Sequence, residues 1–283
     1  MLSSRERSGV GHAAEGPLKL WKRDHPFFAV LHLPPLPGAP GARRTVPQIV
    51  EAAAEEARVL LGAGFDGLVI ENYGDAPFFA TQVPPETIAA MSAVACEIRR
   101  LGTFPLGINV LRNDAQAALA VATAARAELI RVNVLAGTML TDQGLVTGPA
   151  ASLLRKRKLL GARVAIWADL LVKHAAPLAP TDPLDAARDL SERAGADALI
   201  LTGRRTGQPV DRRVLEQLHR SLARLPRIVG SGVQAENLAD YWADASAFII
   251  GSAFRRGGRP GRALDPDRLH RLMRVRRQLS AGA

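Results

Sequence analysis

Short apolar runs rich in Val, Ile and Leu recur eight times along this sequence, separated by longer Ala- and Arg-rich segments with helical spacing. The runs are Phe27–Leu33, Gly67–Ile70, Leu106–Leu111, Leu129–Leu135, Val164–Leu171, Ala198–Leu201, Arg227–Val229 and Ala247–Ile250. Between them lie segments such as Val46–Leu61, Pro85–Leu101, Asp114–Ala125, Pro183–Ala194, Asp211–Leu222, Ala235–Trp242 and Pro266–Arg277. Pro85 suits a first helical turn, and Asn113-Asp114 are candidate caps. Strands alternating with helices at this spacing build βαβ units and a parallel sheet. Eight units predict an α/β fold, a single (β/α)8 barrel over residues 25–280. An open doubly wound sheet is the alternative, but no Gly-x-Gly-x-x-Gly follows the first strand. Residues 1–24 are polar and aperiodic and read as a flexible extension.

Charge is the unusual part of the composition. The chain carries 37 basic and 27 acidic residues, a net charge of +10, and 32 of the basic residues are arginine. A nucleic-acid partner is not expected, because aromatics are only 5% of the chain and no basic motif interleaves with stacking rings. Cys96 is the only cysteine, which excludes an intrachain disulfide and a thiolate metal cluster. No stretch approaches the ~20 apolar residues of a membrane span, and the N-terminus lacks the apolar core of a secretory signal. A cytoplasmic protein is expected. Homo-oligomerisation is common among such proteins, without a symmetric interface signature here.

In a barrel of this kind, function sits at the C-terminal ends of the strands. Those ends carry His32, Glu71, Asn72, Asn109, Arg112, Arg131, Asn133, Asp169, Lys173, His174, Thr202, Thr206, Ser231 and Ser252. Arg131 and Asn133 alternate with Ile130, Val132 and Val134, so the polar pair should face the lumen. A buried arginine needs a partner, and Glu71 and Asp169 are the nearest by layer. His12, His25, His219 and His270 fall in positions expected at the surface. No HxH or HExxH pattern supports a metal site from His32, Glu71, Asp169 and His174, and neither a metal nor a cofactor is expected.

Glycines punctuate the last strands: Gly230-Ser231-Gly232 ends the seventh and Gly251-Ser252 the eighth. Loops at these positions hold phosphate through backbone N–H groups in many barrels. Arg255 and Arg256 follow, and Arg255 is the expected cationic contact. The other arginines between Arg255 and Arg277 read as a solvated outer face.

Several motifs together resemble the BtpA family, which includes the SgcQ-like proteins. They are Leu31-His32-Leu33-Pro34-Pro35-Leu36-Pro37-Gly38, Ile70-Glu71-Asn72-Tyr73-Gly74-Asp75-Ala76-Pro77-Phe78 and Gly107-Ile108-Asn109-Val110-Leu111-Arg112-Asn113-Asp114. Further along come Ile130-Arg131-Val132-Asn133-Val134, Ala168-Asp169-Leu170-Leu171-Val172-Lys173-His174, Leu201-Thr202-Gly203 with Thr206-Gly207, and Gly230-Ser231-Gly232-Val233. The resemblance implies a phosphate-binding TIM barrel. It also implies two functional expectations: photosystem I accumulation, as for the cyanobacterial factor that names the family, or nucleosidase-like sugar metabolism, as for the SgcQ-like members. Phe254-Arg255-Arg256-Gly257-Gly258 departs from the Lys- and Asp-Gly-containing segment of relatives.

The resulting expectation is an enzyme for a small phosphorylated sugar or nucleotide-like ligand. Glu71 and Asp169, with His32, would be catalytic, in glycosidic C–N chemistry or sugar-phosphate isomerisation. Asn72, Asn109, Arg112, Arg131, Asn133, Lys173, His174, Thr202 and Thr206 would contact substrate. Gly230, Ser231, Gly232, Gly251, Ser252 and Arg255 would hold the phosphate. Lys173 is expected to act as a charge, with a Schiff base only if its pKa is lowered. Loops after strands two to five, including Ala136–Gly148, would set specificity. The alternative is a non-catalytic assembly factor for photosystem I.

Overall fold

The computed structural model describes residues 24–203 and 207–282. The expected N-terminal extension, apart from Asp24, and Thr206 lie outside the described residues. Eight parallel strands close into a barrel: β1 (Phe27–His32), β2 (Gly67–Glu71), β3 (Leu106–Asn109), β4 (Leu129–Val132), β7 (Ala165–Leu170), β9 (Ala198–Leu201), β10 (Arg227–Val229) and β11 (Ala247–Ile250). Neighbours follow chain order, and β11 returns to β1 with Phe27 beside Phe248. The remaining strands, β5 (Thr138–Thr141), β6 (Gly144–Thr147) and β8 (Ala175–Pro177), form a separate antiparallel sheet in the order β6-β5-β8. That sheet corrects the reading of Ala136–Gly148 as a plain loop.

Helices α1 (Val46–Ala63), α2 (Pro85–Arg99), α3 (Ala115–Ala125), α4 (Ala150–Leu159), α5 (Pro183–Arg188), α6 (Arg212–Ser221), α7 (Ala239–Trp242) and α8 (Pro266–Ala281) lie between the strands or after the last. Their starts obey local rules. Thr45 and Gln48 form a reciprocal capping box on α1. The Asp114 carboxylate accepts the Ala117 N–H on α3 at 2.8 Å, and Asp211 and Asp265 cap α6 and α8 in the same way. Asn113 instead ties down the end of β4, exchanging two 2.9 Å bonds with the Val134 backbone.

Strand alternation divides the core in two. Outward positions such as Leu31, Ile70, Ile130 and Ala168 pack under the helices. Inward positions Phe28, Val30, Val69, Leu129, Trp167, Ala198, Ile200, Ile228, Ala247 and Ile249 fill the lumen. Phe28 and Trp167 meet edge-on there, ring centroids 5.0 Å apart. The lower barrel is therefore a solid apolar plug.

The N-terminal rim repeats one device. Asp66, Glu128, Asp197 and Ser246 each precede a strand and donate their own N–H to the carbonyl of the neighbouring strand's first or second residue. Each side chain then accepts the N–H of that same residue: Phe27, Leu106, Ile166 or Arg227, at 2.7–3.1 Å. The three acids also pair with arginines of the outer layer: Asp66 with Arg276 of α8, Glu128 with Arg99 of α2, and Asp197 with Arg157 of α4. Register and helix docking are thereby fixed at the same points.

Arg276 is buried, lies 4.4 Å over the Phe27 ring and also donates to Gly64 O. The expectation that all of α8's arginines face solvent is corrected at this residue. Asp66→Ala leaves Arg276 buried without its acid and Phe27 N–H uncapped. The expected loss is about 3 kcal/mol, read as a lower urea midpoint. Arg193→Ala, which removes only an exposed pair with Asp189, leaves the midpoint in place.

Candidate functional site

Above the apolar plug, the next inward position of every barrel strand, or of the residues just beyond its end, is polar or glycine. In barrel order these are His32, Glu71, Asn109, Arg131, Asp169, Thr202, Gly230 and Gly251. The glycines are there because side chains fill the space. A Cβ on Gly230 would lie 2.3 Å from Ile200 Cγ2, and one on Gly251 would lie 2.8 Å from His32 Cε1.

Arg131 and Asp169 form the centre of this layer. The guanidinium donates from Nε to Oδ1 at 2.8 Å and from Nη2 to Oδ2 at 2.9 Å, with the two side chains 3% and 0% exposed. Asn133 adds a 3.0 Å bond to Asp169 Oδ2. Asn109 then donates to Asn133 Oδ1 and to Arg131 O, each at 3.1 Å. A buried ion pair repays its desolvation only when geometry is good and the remaining lone pairs are satisfied. Here the pair is bidentate and Asn133 takes a further lone pair of Asp169. Both Asp169 oxygens are thus occupied and none of its side chain is exposed, so the geometry seats this expected catalytic residue against Arg131 and Asn133 rather than on the open site.

Glu71 has the opposite situation. It is 7% exposed, and its carboxylate accepts no hydrogen bond among the described residues. It lines a narrow recess with His32, Tyr73, Arg131 and Lys173. The opposite wall is Gly230-Ser231-Gly232 and Gly251-Ser252. The N–H groups of Ser231, Gly232 and Ser252 donate to no acceptor among the described residues. Gly232 has φ +68°, and a Cβ there would lie 2.0 Å from Gln208 O, so only glycine lets the two loops meet.

The surrounding charges act on the recess. Burial, then the positive charges of Arg255, Lys173 and Arg131, hold His32 well below the usual histidine pKa, so its ring is neutral. Its Nδ1 is buried with no partner among the described residues, and the ring meets Tyr73 edge-on at 4.8 Å. Burial and then Arg131 lower the Lys173 amine from its ordinary value. Burial and the Glu71 charge raise the Tyr73 phenol.

Other expected residues play supporting parts. Asn72 accepts the Leu111 N–H at 2.7 Å and donates to Asp75 at 3.0 Å, while Asp75 accepts the Leu36 N–H. Arg112 donates to Lys173 O at 2.7 Å. Thr202 keeps a buried hydroxyl without a partner among the described residues and is not on the recess wall. His174 is exposed at the entry to β8, away from the recess.

Arg255 departs most from expectation. Its guanidinium is spent on Glu56 of α1, Val30 O, Arg262 O and Gly251 O. No donor is left for a phosphate, so it braces the loop from behind. Tyr73 was missed as a wall residue, although its place two residues after Glu71 was the available signal.

A family model described as "BtpA family" matches residues 23–278. An uncharacterized protein of Pyrococcus horikoshii is 42% identical over 257 residues, covering 91% of this chain and 98% of that one. The "Photosystem I biogenesis protein BtpA" of Synechocystis is 41% identical over 245 residues, 87% of this chain and 85% of the relative. Among solved structures, phosphoribosyl anthranilate isomerase from Thermus thermophilus superposes with a TM-score of 0.54 at 16% identity, covering 90% of this chain and 99% of that one. At that identity the likeness shows the barrel fold alone.

Two outcomes check the site. Asp169→Leu strands Arg131 as a buried, unpaired cation and should cost about 3–5 kcal/mol. Adding Arg131→Met should recover much of that loss in urea denaturation. For His32, the unfolded chain takes up a proton near pH 6.5, whereas the folded chain resists until lower pH. The folded state thus binds fewer protons in that window, and stability falls as pH drops below about 6.5. His32→Asn should flatten that fall between pH 7 and 5. Burial lowers His25 in the same direction, but His25 is present in both proteins and cancels in the comparison.

Proposed function

The chain belongs to the BtpA family, and on that premise we propose that it is an enzyme for a small phosphorylated sugar or nucleotide-like compound. The observation that carries the proposal is a buried carboxylate without a hydrogen-bond partner, Glu71, facing a wall of unused backbone N–H groups across one recess. The N–H groups of Ser231, Gly232 and Ser252 take the phosphate, with Gly230 and Gly251 allowing the close approach. The carbon skeleton then lies toward Glu71, His32 and Tyr73. No described helix is long and apolar enough to cross a membrane, and a cytoplasmic place fits a small-molecule substrate.

Charge selects the reaction type. Glycosidic C–N cleavage builds positive charge at the anomeric carbon, which Arg131 opposes. Proton transfer beside a carbonyl builds negative charge, which the same cation stabilises. With Asp169 withdrawn, one free carboxylate remains, enough to remove and return a proton. Sugar-phosphate isomerisation is therefore favoured over glycosidic cleavage. Neutral His32 is suited to polarise an oxygen by donating a hydrogen bond.

A second reading, a non-catalytic photosystem I biogenesis factor, draws on the name of the Synechocystis relative. It gives no role to an unpaired buried carboxylate. Melting curves with ribose 5-phosphate, glycerol 3-phosphate and nucleoside monophosphates, each against its unphosphorylated parent, separate the readings. A phosphorylated ligand at 100 times its Kd should add about 2.7 kcal/mol, and the parent compound little. On the substrate so identified, Glu71→Gln should keep binding and lose at least 10²-fold in kcat. No shift with any phosphorylated compound would contradict the phosphate site.

A further inference from the structure

Among the described residues the recess contains one amine, and its setting is not that of a surface charge. The chain has five lysines against 32 arginines. Lys156 and Lys158 lie on α4, while Lys19 and Lys22 fall outside the described residues. Lys173 alone stands in the wall with Glu71, His32 and Tyr73. Arginine would supply charge here as well as it does elsewhere in this chain. It cannot act as a neutral nucleophile, because it stays protonated in proteins.

The backbone presents the residue rigidly. Leu171 and His174 adopt φ values of +49° and +56°, uncommon for side chains other than glycine and costly unless the surroundings enforce them. Between them, the carbonyl of Lys173 accepts from Arg112 at 2.7 Å, and Arg112's own N–H is held by Phe79 O at 3.0 Å. Val172 is buried among Val134, Met139 and Val146 beneath the β5–β6 hairpin. The Lys173 ammonium itself donates no hydrogen bond among the described residues. A lysine kept for charge would be expected to rest on a carboxylate, and Glu71 stands in the same recess without bonding it.

We propose that Lys173 is the nucleophile for a carbonyl group, so that the substrate class is a phosphorylated aldehyde or ketone held as an imine. This rests on the phosphate-site reading above and narrows it. The neutral amine attacks the carbonyl carbon, a C–N bond forms, and the C=O π pair moves to oxygen. Glu71, in its acid form, protonates that oxygen. The Glu71 carboxylate then takes a proton from the carbinolamine nitrogen and passes it to the hydroxyl, and water leaves as the freed nitrogen lone pair closes the C=N bond. Amine, carbonyl and the first proton from Glu71 give a protonated imine, water and the Glu71 carboxylate, with no oxidant or reductant. The protonated imine then draws electrons from the adjacent C–H, the bond at which Glu71 as a carboxylate removes a proton. Burial and the charge of Arg131 favour the neutral amine, while Glu71 and Asp169 oppose them and Arg112 adds to them.

The full chain is incubated with dihydroxyacetone phosphate or ribose 5-phosphate in the presence of sodium cyanoborohydride, then digested for peptide mass spectrometry. Hydride addition to the imine leaves a secondary amine, heavier than lysine by the mass of the carbonyl compound less one oxygen. The expected result is an adduct on Lys173 in large excess over Lys156 and Lys158, suppressed by glycerol 3-phosphate, which has no carbonyl. Trapping should rise with pH at a midpoint below that of free lysine. Lys173→Arg should lose the adduct while keeping the melting shift given by glycerol 3-phosphate. If glycerol 3-phosphate binds and Lys173 stays unmodified, the nucleophile is overturned and the phosphate site stands. If neither glycerol 3-phosphate nor either carbonyl compound binds, both are overturned.

Discussion

The pair between Arg131 and Asp169 is the constraint around which the upper barrel is arranged. A guanidinium and a carboxylate removed from water cost several kcal/mol each unless nearly every donor and acceptor is met. Asn133 adds a bond to Asp169 and Asn109 in turn holds Asn133, which accounts for two amide side chains beside the pair. The pair closes the top of the apolar plug, and the recess begins above it. Its arginine also contributes to the field that lowers the pKa of His32 and of Lys173, while Asp169 opposes it at Lys173. Because Asp169 is consumed in the pair, Glu71 is left as the unbonded carboxylate.

The two ends of the barrel divide stability from chemistry, as the fold generally does. At the N-terminal rim, side chains that close the strand register are matched: each acceptor finds a backbone N–H, and each acid an arginine from a helix. At the C-terminal rim, matching is incomplete. His32 Nδ1, Asn109 Oδ1 and Thr202 Oγ1 are buried without partners among the described residues, and Glu71 accepts nothing. Unsatisfied polar groups lower stability; Arg99 Nε and Trp242 Nε1 are also buried without partners among the described residues, so it is the group around the recess, together with the unbonded Glu71, that supports the proposed site.

Much of this was legible in the sequence because it depends on period. Eight apolar runs and the alternation around Ile130 and Val132 are local patterns, and they fixed the barrel and the inward direction of Arg131. What escaped depends on partners far apart in the chain. Arg255 meets Glu56 across 199 residues and Arg276 meets Asp66 across 210, so with only chain neighbours to go on Arg255 reads as a phosphate contact and Arg276 as solvated. The β6-β5-β8 sheet escaped because its strands are short and largely exposed, and β5 gains its second partner only when Ala175–Pro177 docks beside it. Asp169 was recognised as inward but not as consumed, since periodicity gives direction and not hydrogen-bond count.

On the proposed reading, the barrel mouth holds a phosphate opposite Glu71. A crystal structure of the protein grown or soaked with glycerol 3-phosphate tests it most directly. The account predicts a tetrahedral anion within hydrogen-bond distance of the N–H groups of Ser231, Gly232 and Ser252, with the glycerol carbons toward Glu71 and Lys173. A phosphate seated elsewhere while this recess holds only water would contradict it.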